Sequence, residues 1–235
     1  LAEAEIEYKE KTSKAIYVKF PVLGKDKSIV IWTTTPWTIP CNRAIAYSKT
    51  LNYKILEVKK SIDNTNFTVG EQIIICEDLI DELVQKTKIK EFNIKGDISS
   101  EEIGKIECSH PLKDLGYEDI VKVFPSSHVT SESGTGFVHI APNHGIEDFD
   151  VGRKFNIQNL PSVNEKGLYT ENIKVFKNQH IYKADDLVIE KLKEYKTILG
   201  IEDYIHSYPH SWRSKAPLIY RATSQWFISM EKKEL

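Results

Sequence analysis

The chain has 235 residues, 40% of them hydrophobic and 28% charged, with a formal net charge of −2. This describes a globular protein with a real core and no global attraction to nucleic acid, so any contact with a phosphate backbone must come from a local patch. No apolar run approaches the ~20 residues of a membrane-crossing helix, and the acidic opening LAEAEIEYKE is not a secretory signal.

Residues 1–11 read as the end of a helix, with Leu1, Ala4 and Tyr8 on one side and charges elsewhere. A strand is predicted over 15–20 and a buried, β-branched one over 29–35. Pro36 ends the latter, because it has no N–H for a ladder and pushes its predecessor towards an extended conformation. Strands are predicted over 42–47 and 52–59, a polar turn over 60–66, and β pattern again over 67–70 and 72–76. Over 77–87 the period becomes helical: Leu79, Ile80, Leu83 and Val84 share a face, with acids early and Lys86 late. Short strands at 89–98, 103–108, 120–124 and 135–140 precede a helix over 144–155 and a short strand at 160–163. The clearest helix spans 181–199, where Ile181, Ala184, Val188, Leu192, Tyr195 and Leu199 recur at three and four and Gly200 follows as a C-cap. A strand is predicted over 201–208, and Pro217 forbids one continuous helix over 213–228. Many short strands with few helices predict a mixed α/β, β-rich barrel or sandwich.

Cys41, Cys76 and Cys108 lie far apart, which argues against a disulfide framework and for a reducing compartment, with a cytoplasmic location expected. The sequence lacks an initiator Met, and both termini fall inside patterned stretches. It reads as a piece of a larger protein, an inserted domain whose ends return to a common host.

Two stretches carry chemistry. In 31–42, IWTTTPWTIPCN, five hydroxyl or amide side chains (Thr33, Thr34, Thr35, Thr38 and Asn42) lie among two Trp and two Pro. Short hydroxyls at a rigid strand end both donate and accept hydrogen bonds and narrow a pocket without adding charge; threonine is also simply a good strand former. In 134–148, GTGFVHIAPNHGIED, two glycines let backbones approach closely. A strand then carries His139 to its end, and a Gly/Pro turn with Asn143 as N-cap opens a helix with Glu147 and Asp148 in its first turn. First-turn acids usually just offset the helix dipole. Together, however, a strand-end imidazole and a helix-start carboxylate can line one pocket, and such a carboxylate suits a substrate ammonium.

A metal is the rival reading. Cys108 with His110, or His206 with His210, offer ligands, but neither matches paired zinc spacings, so no metal is expected. No GxSxG elbow, P-loop or GxGxxG occurs, and Ser126-Ser127-His128 lacks triad context and reads as loop.

TTTPWTIPCNRAIAY together with GTGFVHIAPNHGIEDFDVGRKF closely resembles the editing insertion of isoleucyl-tRNA synthetase, a class I aminoacyl-tRNA synthetase. HSYPHSWRSKAPLIYRATSQWFISM resembles the return to that enzyme's synthetic domain, and LAEAEIEYKEKTS the lead-in, so the likeness spans nearly the whole chain. Valyl and leucyl relatives have an Arg-Pro-acid sequence after the threonines, where Thr35-Pro36-Trp37-Thr38 stands here. Cys41 and Ser211 are mild departures, at positions where the family usually has a small residue and often a Cys. HIGH-type and KMSKS-type motifs are absent, so this piece should not activate amino acids.

The resemblance implies a β-barrel-like editing domain with peripheral helices over 15–205. Residues 1–14 would lead in from, and 206–235 return towards, an absent Rossmann catalytic domain. It implies a monomeric, membrane-free hydrolase acting on valine mistakenly esterified to the 3′ end of isoleucine tRNA; the alternative is a non-catalytic module that only binds that end. No cofactor is expected in this piece, ATP and Mg serving only the full-length ligase. Carried over by motif, Asp148 anchors the substrate's ammonium and His139 crowds out isoleucine's extra methylene. Thr34 and Thr35 shape the pocket and bond the ester, ribose or water, while Thr33, Trp37 and Asn42 support the terminal adenosine or the wall.

Overall fold

The computed structural model describes residues 3–62, 67–226 and 228. Among the described residues, ten strands build two open sheets. The first strand, β1 (Ile6–Pro21), is partnered on one side by β10 (Ile198–Ser211) and on the other by β2 (Lys27–Thr33), both antiparallel. β2 then pairs in parallel with β5 (Gln72–Cys76), and β4 (Tyr53–Ser61) and β6 (Ile89–Ile98) follow, giving the order β10-β1-β2-β5-β4-β6. The second sheet has the order β7-β8-β3-β9, with β7 at Glu107–Cys108, β8 at Val121–Pro125, β3 at Ala44–Tyr47 and β9 at Phe137–Ile140. β3 pairs in parallel with β8 and antiparallel with β9.

The described residues also form four short, peripheral α-helices: α1 (Ile80–Thr87), α2 (Ser100–Ile103), α3 (Ile146–Lys154) and α4 (Ala184–Glu194). The core lies where the sheets meet. Ile16, Tyr17, Phe20, Ile29, Ile31, Ile45 and Phe137 are fully or almost fully buried there, and apolar burial of this kind drives the collapse. The mixed α/β, strand-rich class is as expected; the strands form two open sheets rather than a closed barrel. Among the described residues no helix is long and apolar enough to cross a membrane.

Several local expectations are corrected. The predicted first helix is a 3-10 turn, Glu3–Glu5, followed by β1; Leu1 and Ala2 lie outside the described residues. Pairing of Ile6 through Tyr17 with β10, nearly two hundred residues later, supplies ladder partners that the local pattern does not announce. Residues 67–70 form a turn, 160–163 contribute only a single bridge at Val163, and of 103–108 only Glu107 and Cys108 are in a strand. The missed helix α2 opens on a capping box, in which the Ser99 hydroxyl accepts from Glu102 N and the Glu102 carboxylate accepts from Ser99 N. α4 stops at Glu194 rather than Leu199: Lys196 takes the left-handed conformation expected of Gly200, and Gly200 sits inside β10. A Cβ there would come 3.1 Å from Lys86 O, so glycine lets β10 pass under the end of α1. Of 213–228, only an isolated bridge at Pro217 is regular among the described residues.

Candidate active site

β2 ends at Thr33, one residue pair earlier than expected, and the chain bends at Thr34 into a buried 3-10 helix, Pro36–Cys41. Pro36 at the first helical position wastes no donor, and its fixed φ suits a helix start. The 3-10 turn brings Thr38 back to Thr35, three residues earlier, a pair that a straight strand would place on opposite faces. Thr33 Oγ1 lies 3.1 Å from Thr35 Oγ1, which lies 3.3 Å from Thr38 Oγ1. Thr38 Oγ1 donates to Thr35 O at 2.8 Å and lies 2.9 Å from His139 Nε2.

His139 is on β9, opposite Ile45 of β3, and is buried. Asn42 Nδ2 donates to Ala44 O at 2.8 Å and approaches His139 Nδ1 at 3.4 Å. One proton arrangement satisfies the whole set: Nδ1 accepts from Asn42, Nε2–H donates to Thr38, and Thr38 donates to Thr35 O. His139 is thus a neutral ring gripped at both nitrogens, and burial, with His144 nearby, pushes its pKa down to about 4.

The 3-10 helix is itself clamped. Trp37 N donates to Asp185 Oδ1 of α4 at 2.9 Å, and the Tyr169 hydroxyl donates to Trp37 O. Leu112 N donates to His110 Nδ1, so His110 Nε2–H donates to Ile39 O at 3.1 Å. Burial holds Asp185 above the usual carboxylate range and pushes His110 down to about 3.

Asp148 stands in the first turn of α3, whose N-cap is Gly145 rather than Asn143. Its Oδ2 accepts from Ala141 N at 2.8 Å, two residues beyond His139. A Cβ on Gly145 would come 3.0 Å from the Asp148 Cγ, so glycine makes room for the carboxyl to fold back. Burial outweighs the Ala141 bond, and with Glu147 adjacent the Asp148 carboxyl is pushed up to about 6. In the intervening turn, His144 packs edge-on against Trp37 with ring centroids 4.8 Å apart, and its Nε2 lies 2.6 Å from Ser162 Oγ. Beside α3 a cleft of about 220 Å³ opens between Gly145, Ile146 and Phe149 and the 220–223 segment. That segment is tied down where Ala222 N donates to Asn143 O.

The fold therefore brings Thr33, Thr35, Asn42 and His139 into one cluster hydrogen-bonded through Thr38, with Thr34 half-buried at the bend, while Trp37 packs instead on His144. Asp148 joins through Ala141 rather than by direct contact with the threonines. Sequence reasoning missed the clamps. Asp185 looks like any first-turn acid, and nothing near His110 or Tyr169 in the sequence announces Ile39 or Trp37. Ser126 Oγ pairs with His128 Nδ1 at 2.8 Å in the loop after β8, apart from this cluster. Among the described residues no three His, Cys, Asp or Glu side chains gather as a metal ion would need.

No family model matches the chain. It is 43% identical to the isoleucine–tRNA ligase of Pelagibacter ubique, over 98% of this chain and 26% of that protein. It is 40% identical to that of Idiomarina loihiensis, over 100% of this chain and 26% of that protein. The chain thus spans about a quarter of the length of these relatives. Among solved structures it is similar to GlLeuRS-CP1, with a TM-score of 0.63 at 12% identity, covering 81% of this chain and 100% of that one. It is also similar to the editing domain of the Plasmodium falciparum cytosolic leucyl-tRNA synthetase, with a TM-score of 0.58 at 11% identity, covering 83% and 99%. The chain belongs to the isoleucine–tRNA ligase family, and the part of those ligases it represents has the CP1 editing-domain fold of class I aminoacyl-tRNA synthetases.

Proposed function

We propose that the chain proofreads by hydrolysis, cleaving valine from isoleucine tRNA on which it was mistakenly esterified. One methylene discriminates by only ~1–3 kcal/mol, a limit for which the isoleucyl enzyme facing valine is the standard example, so a second, smaller site supplies what the synthetic pocket cannot. The observation that carries the reading is the neutral His139 ring, fixed at both nitrogens by Thr38 and Asn42. Such a ring cannot swing aside and acts as a rigid wall for size exclusion, while Asp148, ionised above about pH 6, receives the substrate ammonium.

Water attacks the ester carbonyl, the new C–O bond forms, and the terminal ribose oxygen leaves with a proton. The Thr34 and Thr35 hydroxyls orient ester, ribose or water; Thr33, Trp37 and Asn42 hold the wall and the adenosine. No protein nucleophile takes part, so positioning and electrostatics carry the rate. The partner is the 3′ end of tRNA(Ile) bearing valine, in a monomeric, cytoplasmic ligase whose ATP and Mg serve synthesis elsewhere in its chain. Residues 15–205 form the editing unit, with 1–14 and 206–235 as the lead-in and return; the pairing of Ile6 with Ser211 supports the lead-in and the return lying side by side, although β1 and β10 run unbroken across both boundaries.

The test is deacylation of Val-tRNA(Ile) against Ile-tRNA(Ile) by the wild type and Asp148→Ala. Hydrolysis of the valyl ester alone, nearly abolished in the variant, supports the reading. Tight binding of the tRNA end with no hydrolysis by the wild type would leave a non-catalytic binding module.

A further inference from the structure

At the opposite end of α3 from Asp148 lies a second, larger cleft of about 640 Å³. Three segments form it: the turn after β3 (Ser48, Lys49, Thr50), the loop after β8 (Ser126 to Glu132), and Lys154 at the last turn of α3. Asp148 and Lys154 are six residues apart on the helix, about 9 Å along its axis. The lining is rich in hydroxyls, and some are already used. Ser48 Oγ and Thr50 Oγ1 lie 3.0 Å apart, and Ser126 Oγ pairs with His128. Ser127 and Thr130 are exposed at the opening.

Two cations from different elements flank it. Lys49 and Lys154 are both exposed, and the ion pairs among the described residues include neither. Lys154 Nζ is steadied 5.3 Å from the centroid of the Phe155 ring, which stacks on Phe124. Glu132 is the one carboxylate in the lining, and no aromatic side chain lines it. A site with lysines and hydroxyls but no stacking surface suits phosphate and sugar rather than a base.

We infer that this cleft is a docking site for the phosphate backbone of the tRNA, the local basic patch that a chain of net charge −2 needs. The inference rests on the proposed editing of tRNA. It adds a contact remote from the reacting ester, one that contributes affinity and register and no chemistry. Lys49 and Lys154 each meet one phosphate, with Ser127 and Thr130 donating beside them, while Glu132 at the rim limits the grip.

The experiment uses the full-length ligase carrying this segment and uncharged tRNA(Ile), with Kd measured from 50 to 300 mM KCl. Each phosphate contact on a single strand contributes ~0.7 to the slope of log K against log salt, so Lys49→Gln/Lys154→Gln is expected to reduce its magnitude by about 1.4. Lys49→Arg/Lys154→Arg retains the slope, and single-turnover deacylation at saturating tRNA is unchanged in both variants. An unchanged slope in a Gln variant of wild-type Tm overturns the inference, and if the wild type still deacylates Val-tRNA(Ile), the editing reading stands without it. Because binding is read with uncharged tRNA, a wild type that fails to deacylate sinks the editing reading alone. A thermal shift with inorganic phosphate at constant ionic strength, lost in the Gln variant while the tRNA slope is unmoved, would make this a free-phosphate site and also overturn the inference.

Discussion

Replacing Asp148 by Asn should make the protein more stable and less active. Burial raises the Asp148 carboxyl from 3.8 to about 6. The unfolded chain releases this proton from about pH 3.8 and the folded chain only from about pH 6, so the folded state holds more protons between them. Stability therefore falls as pH rises through that window, and the full penalty applies above about pH 7. The gap corresponds to about 3 kcal/mol. Asn keeps an oxygen to accept from Ala141 N, now 2.8 Å from the carboxylate, and removes the charge. That gap is already net of the Ala141 bond, so only the carboxylate's favourable interaction with the start of α3, about 0.3–1 kcal/mol, reduces the gain, leaving a net stabilisation of about 2–3 kcal/mol at pH 7.5. Urea unfolding of the 235-residue chain at pH 7.5, 6 and 4.5 reads it as a shift in midpoint at constant m. The gap should close as pH falls, because the wild-type carboxyl protonates. Deacylation should drop by about 10- to 150-fold, the worth of a charge-assisted bond of about 1.5–3 kcal/mol. An Asn variant no more stable at pH 7.5, or a gap that ignores pH, would refute the idea of a buried, substrate-seeking carboxylate.

His139→Ala removes the ring that Thr38 and Asn42 hold; Ile-tRNA(Ile) should then be hydrolysed about tenfold faster or more, and a variant that still spares it argues against a steric role. Over pH 5–8 the kcat/KM of the wild type should rise through one acid limb near 6, from Asp148, because burial keeps His139 neutral down to about 4; a limb near 6.5 that disappears in His139→Ala would contradict this. Gly136→Ala should destabilise by about 2–5 kcal/mol, since φ is +77° and a Cβ would meet Cys76 Cβ at 2.4 Å; a Tm within about 2 °C of wild type counts against that packing. Deacylation should survive EDTA, and loss on chelation with rescue by zinc would revive the metal reading.

Most strand positions were legible because alternation and β-branching are local signals: 72–76 and 89–98 coincide with β5 and β6. The two polar stretches also stood out, since a TTTPWT run or a His-to-Asp span joined by a Gly/Pro turn is compact enough to read residue by residue. What sequence patterning determined was therefore the β-rich class, the candidate residues and, by resemblance, the family. It did not determine who touches whom. The bend at Thr34 that turns three threonines into a hydrogen-bonded chain ending on His139 depends on β9 lying beside β3, a pairing across about a hundred residues. The rise of the Asp148 carboxyl depends on the fold-back that tucks this one side chain against Ala141 and Gly145 while Ile146 and Glu147 stay exposed, and the clamping of Trp37 on α4 and Tyr169 arriving from far along the chain. Desolvation and hydrogen-bond partnership are properties of the packed molecule, and no window of sequence contains them.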